Sequence, residues 1–130
     1  MPAPFAFSYA VVRVVPQVER EEFVNAGIVL FCDAVDFLGA RIALDEARLT
    51  ALAPTADLAI VRKHLDAIPI ICAGGPSGGP VAELPLRERW HWLTAPRSTI
   101  LQTSPAHTGL CPRPEEEIDR LLHLLVGTRQ

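Results

Sequence analysis

The chain has 130 residues, 49% of them hydrophobic, with a mean hydropathy of +0.24 and a net charge of -3. That length allows one core and is short for two ordinary domains, so residues 1–130 read as a single domain, and the composition excludes disorder for the bulk of it. A pI of about 5.8 argues against a protein wrapped in nucleic acid, which carries a strongly basic domain. No basic n-region precedes the first apolar run, and no run approaches the ~18 apolar residues that cross a bilayer. Cys32, Cys72 and Cys111 are odd in number and widely spaced, the pattern of reduced cytoplasmic thiols.

Phe5 to Phe31 reads as strand, turn, strand. Residues 7–15 are apolar and β-branched and end at Pro16; residues 23–32 repeat the pattern and end at Asp33. The link Gln17–Glu22 is polar and charged, so the pair predicts an antiparallel hairpin. Strict alternation puts Phe5, Phe7, Tyr9, Val11 and Arg13 on one face of the first strand. In the second it sets Val24, Ala26, Ile28 and Leu30 opposite Asn25, Gly27, Val29 and Phe31. Neither strand has a fully polar face, which predicts a sheet covered on both sides.

Arg13, Asn25 and Gly27 break the apolar pattern. A glycine inside a strand suggests a bulge or a close backbone approach. A guanidinium in such a run needs a partner, and Glu19, Glu21, Glu22 and Asn25 lie across the turn. One reading is a structural clamp in which Arg13 ties the hairpin together. The other is a polar pocket in the sheet that holds an anion or carboxylate.

Asp33–Asp36 forms a turn, and 37–44 reads as a third strand. Asp45 caps a short helix through Leu52, and Thr55 or Asp57 caps the next, whose stripe is Leu58, Val61, Leu65 and Ile68. Pro69 is expected to end or kink it. The Gly/Pro-rich run 72–80 lacks the Gly-Lys-Ser/Thr ending of a phosphate loop and reads as a mobile surface loop. Residues 84–93 form a helix with Pro85 in its first turn, its tryptophans being core plus rim or a stacking platform for a ring. Residues 98–104 make a fourth strand, polar enough to sit opposite Arg13 and Asn25. Residues 105–114 are a loop, in which His107 and Cys111 are two donors and not a metal site. The closing helix, 114–126, carries Ile118, Leu121, Leu122 and Leu125 inward and Glu115–Glu117 in its first turn, with Glu116 and Arg120 spaced to pair and Gly127 as its stop.

Tyr9-x-Val-Val-Arg13-x-Val-Pro16 and Glu22-Phe-Val-Asn25-x-Gly27-Ile-Val-Leu-Phe31 resemble the signature of a family of short bacterial proteins, the domain of unknown function numbered three-zero-three-seven. Phe37-Leu-Gly-Ala-Arg41, the stretch from Trp92 through Arg97 to Pro105, and the closing helix extend the resemblance over nearly the whole chain. The resemblance implies a protein partner, with a HipA-like kinase as the candidate, and names no reaction.

The fold expected is α+β: a mainly antiparallel sheet of about four strands in the order β-β-β-α-α-α-β-α, with helices packed against it. No catalytic motif, cofactor motif or metal-ligand cluster is visible in the sequence. The functional expectation is therefore a cytoplasmic binding or accessory module for a protein partner. The alternative is a small enzyme whose anion pocket gathers Arg13, Asn25, Arg41 and Arg97, with His107 or His91 in reach. An arginine face for nucleic acid would need a contiguous basic stripe, against a net charge of -3.

Overall fold

The structure is a computed structural model that describes residues 4–127. It is α+β. Strands β1 (Phe5–Val14), β2 (Val24–Cys32) and β3 (Phe37–Ile42) are followed by helices α1 (Glu46–Leu52), α2 (Leu58–Ala73) and α3 (Leu86–Thr94). Strands β4 (Leu101–Thr103) and β5 (His107–Cys111) come next, and α4 (Pro114–Leu125) closes the chain. All pairings are antiparallel, in the order β3-β2-β1, and the far edge of β1 is shared by β4 and β5. Among the described residues no helix is long and apolar enough to cross a membrane.

The fifth strand is a difference from the sequence expectation. The strand expected over 98–104 forms only at Leu101–Thr103, and the expected loop contains β5. The two are one edge strand broken by a bulge. Val12 pairs with Thr103 and Tyr9 with His107, so Ala10 and Val11 face three residues, Ser104, Pro105 and Ala106. Pro105 has no N–H to give the ladder, which suits it to this break. Ser104 repairs it: its Oγ accepts from Val11 N at 2.9 Å, and its own N–H donates to Val11 O at 2.9 Å.

A second bulge corrects the face assignment in β2. Val12 pairs with Gly27 but Arg13 pairs with Asn25, leaving Ala26 as the extra residue. Strict alternation fails there. Val24 and Ala26 join Val29 and Phe31 on one face, while Asn25 shares the other with Ile28 and Leu30. Gly27 borders the bulge and serves the close approach expected of a strand glycine, since a Cβ there would lie 2.6 Å from Arg41 O in β3.

Each face has its own core. Val12, Val14, Val29 and Phe31 pack under α1, α2 and α3, where Leu49, Leu65 and Trp90 are buried and Trp90 stacks on Phe31 at 5.8 Å. Phe7, Val11, Ile28 and Leu30 pack under α4 through Ile118 and Leu121. Asp45 and Asp57 cap α1 and α2, each accepting from the backbone N–H three residues on.

Helix α2 does not end at Pro69 but runs on to Ala73. An interior proline costs roughly 3 kcal/mol. Burial of Ile71 offsets about 1.5–3 kcal/mol of that, and Cys72 is buried beside it. Arg89 then closes the C-terminus of α2, its Nη1 donating to Ile71 O at 3.1 Å and Cys72 O at 2.7 Å. The Gly/Pro-rich run that follows folds into two 3-10 turns, tied by Gly75 N to Ala82 O. In α4 the expected Glu116–Arg120 pair is replaced by Glu116 with Arg113 and Glu117 with Arg120, both at three-residue spacing.

Candidate functional site

A groove of about 590 Å³ lies between α2, α3 and the segment leading into β4. Its floor is apolar, from Val12, Ile68, Ile71, Leu93 and Leu101. Arg97 and Trp92 stand among its lining residues: Trp92 is 39% exposed, and Arg97 stacks over its ring at 4.6 Å and donates to its carbonyl. His64 and Arg97 are the ionisable side chains in its lining, and no carboxylate is among them. A second groove of about 300 Å³ continues past Ile100 toward Ile60 and Asp57. Residues 64, 67, 68 and 71 of α2 line the first groove, and residues 60 and 61 with the capping Asp57 line the second; from 57 to 71 these positions span about 21 Å at ~1.5 Å per residue.

Local side chains already occupy backbone acceptors at the start of the short strand beside this run. Thr99 Oγ1 donates to Leu101 O at 2.7 Å, and Gln102 Nε2 donates to Thr99 O at 3.0 Å. An added strand would have to displace these bonds.

Arg13 lies in register between Asn25 on β2 and Gln102 on β4, so the polar late strand does sit beside it. Its guanidinium stacks on Phe23, which is 43% exposed, at 4.1 Å. Among the described residues Arg13 makes no ion pair, and its buried Nε has no hydrogen-bond partner. The clamp to the turn carboxylates is not made. Glu22 is held by Arg20 at 2.6 Å, and that hydrogen bond and charge keep its carboxyl below the usual range. A cation–π contact at an exposed site is worth about 0.5–1 kcal/mol. An unsatisfied buried donor costs about 1–3 kcal/mol, and more on a charged group. Phe23 alone does not offset that cost.

Arg13 lines a groove of about 260 Å³ with Glu21, Phe23, Ser98 and Gln102. Val18, Ser98 and Gln102 also line the 590 Å³ groove, so the two adjoin. Thus Arg13 and Arg97 line two neighbouring grooves that meet at Val18, Ser98 and Gln102. Asn25 is next to Arg13 but turned to α4, where its Nδ2 donates to Leu125 O at 3.2 Å; its buried Oδ1 has no partner. Arg41 is drawn elsewhere, to Asp119 of α4 at 3.0 Å. His107 packs on the Tyr9 ring at 5.3 Å, and neither it nor His91 lines the Arg13 groove. Among the described residues no three His, Cys, Asp or Glu side chains converge as a metal site would need.

Sequence reasoning missed the α2 wall. Ile60, His64, Ala67 and Ile71 form a second stripe beside the core stripe, and a helix apolar over more than one face signals a second contact. No curated protein and no solved structure matches the chain. The family model described as "Protein of unknown function (DUF3037)" matches residues 9–126, nearly the whole described chain, and the protein belongs to that family.

Proposed function

We propose that the protein is an accessory module that binds a protein partner, and that the contact is an amphipathic helix with an acidic residue laid along α2. The observation that carries this is the open apolar run between α2 and β4, whose larger part is lined by Arg97 and His64 and by no carboxylate. Apolar positions at three- and four-residue spacing on a docked helix match a groove of this length. The short length of β4 and the use of Leu101 O by Thr99 favour a helix over an added strand. The family resemblance supplies the partner class, a HipA-like kinase. Three buried free cysteines support a cytoplasmic setting for it.

The test is co-purification of the tagged protein with a HipA-like kinase encoded beside it. Ala67 is an exposed α2 residue in the groove wall, so Ala67→Glu should leave the fold intact and abolish the complex. Arg97→Glu should weaken it at least tenfold. A complex that survives both changes overturns the groove as the contact, and no complex with wild type overturns the partner.

A further inference from the structure

We infer that the groove beside β1 and β4 is a carboxylate-binding site, with the Arg13 guanidinium as its cation. A guanidinium is a cation with donors and no acceptor, so Arg13 calls for an anionic partner. Phe23 holds it from one side, and its Nε is buried without an acceptor. The neutral donors beside it are Gln102, whose Nε2 uses one of its two hydrogens on Thr99 O, and the Ser98 hydroxyl on the groove wall.

The ligand's charge follows from Glu21. It shares the groove wall, follows a 3-10 turn at Val18–Arg20 with φ 56°, and makes no ion pair among the described residues. A dianionic phosphate would meet that carboxylate as well as Arg13; a monoanion pairs with Arg13 and is repelled less. The planar fork of a guanidinium also matches a carboxylate in two parallel hydrogen bonds. The adjoining 590 Å³ groove shares Val18, Ser98 and Gln102 with this one, and the inferred ligand lays its apolar body across those residues toward Trp92. That the carboxylate is an acidic side chain of a docked helix rests on the reading above. A free small carboxylate is the other source of the same chemistry.

Arginine Nε–H resonances report on the site directly, and Arg13→Lys identifies the one from Arg13. Acetate and 4-phenylbutyrate should both shift it saturably, and inorganic phosphate at equal ionic strength should not. 4-Phenylbutyrate should bind at least about tenfold tighter than acetate, because its ring reaches the apolar groove, and should also move the Trp92 indole signal. Glu21→Gln should tighten both carboxylates a few-fold. No saturable shift with either carboxylate, an equal shift with phosphate, or indifference to Glu21→Gln overturns the site. If Trp92 responds while Arg13 is silent, the carboxylate site falls and the groove reading stands. Where acetate moves Arg13 but 4-phenylbutyrate binds no tighter and leaves Trp92 unmoved, the site stands and the groove reading falls. With the site established, loss of partner capture in Arg13→Met assigns the carboxylate to the partner, and unchanged capture assigns it to a free molecule.

Discussion

Arg13 and Asn25 stand opposite one another across the β1–β2 ladder, and each keeps one buried polar atom, Nε and Oδ1, without a hydrogen-bond partner. A donor and an acceptor on paired residues would ordinarily bond. The bulge at Ala26 sets them apart in orientation: Arg13 leans to Phe23, and Asn25 turns its amide to the end of α4. The hairpin thus carries an uncompensated cation at the mouth of a groove and spends no carboxylate of its own on it.

Removing that charge should not harm the fold. Breaking a buried ion pair costs about 3–5 kcal/mol because it strands the other partner. Arg13 has no such partner to strand. Arg13→Met keeps an apolar stem on Phe23 and removes the unsatisfied Nε–H, so its stability should equal or exceed wild type, within about 1 kcal/mol. Urea unfolding of the two proteins decides this. A loss of 3 kcal/mol or more would mean that Arg13 has an internal partner.

How much of this was legible in the sequence depends on the length of the signal. The hairpin, β3, the capped helices and α4 all carry several turns or alternations of pattern, and all are found close to the expected residues. The five residues of β5 hide their pattern: Gly109 and Cys111 point inward and Thr108 and Leu110 outward, but the inward glycine has no side chain and the outward leucine is apolar, so hydropathy does not follow the alternation. The Ala26 bulge is likewise invisible, since one extra residue changes no composition yet reverses every later face assignment. Of the four arginine and asparagine positions expected in a pocket, Arg13 and Arg97 line adjoining grooves. Arg41 pairs with Asp119, which lies 78 residues away, and no local pattern reports such a partner.

Gly27→Ala tests the close approach of β2 and β3. Its Cβ would lie 2.6 Å from Arg41 O and 2.8 Å from Ile42 Cδ1. The carbonyl belongs to the ladder and cannot yield, so the expected loss is about 2–3 kcal/mol, the upper part of the overpacking range. Gly109→Ala is the control. The atoms nearest its Cβ would be those of the Phe7 ring, the first at 2.8 Å, and a ring can turn. The Gly109 variant should lose less than the Gly27 variant in the same thermal melt.

Ser104→Ala tests the repair of the broken edge strand. Ser104 is 4% exposed and its Oγ is the acceptor for the Val11 N–H. Alanine leaves that buried donor unsatisfied, at a cost of about 1–3 kcal/mol. Hydrogen exchange localises the effect: the Val11 amide should lose protection beyond the global change. Equal loss at every amide would argue against a local role.

Cys72 should make stability fall in alkali. Burial pushes its thiol up to about 12 from an ordinary 9.0, with the nearby Arg89 charge acting in the opposite direction. The folded state therefore holds this proton more tightly than the unfolded chain does. Below about pH 9.0 both states are protonated and stability is unaffected. Between about 9 and about 12 the unfolded chain releases the proton while the folded chain keeps it, so unfolding is favoured progressively as pH rises. Other groups titrate in that window, so the informative quantity is the difference between wild type and Cys72→Ala. The variant should be less stable at neutral pH, through the small cavity it leaves, and the gap should narrow steadily from about pH 9 upward. The same burial predicts that iodoacetamide spares Cys72 in the native protein at pH 8.5 and labels it in urea. A constant gap between the two proteins across the alkaline range would show that the Cys72 thiol ionises as readily in the fold as outside it.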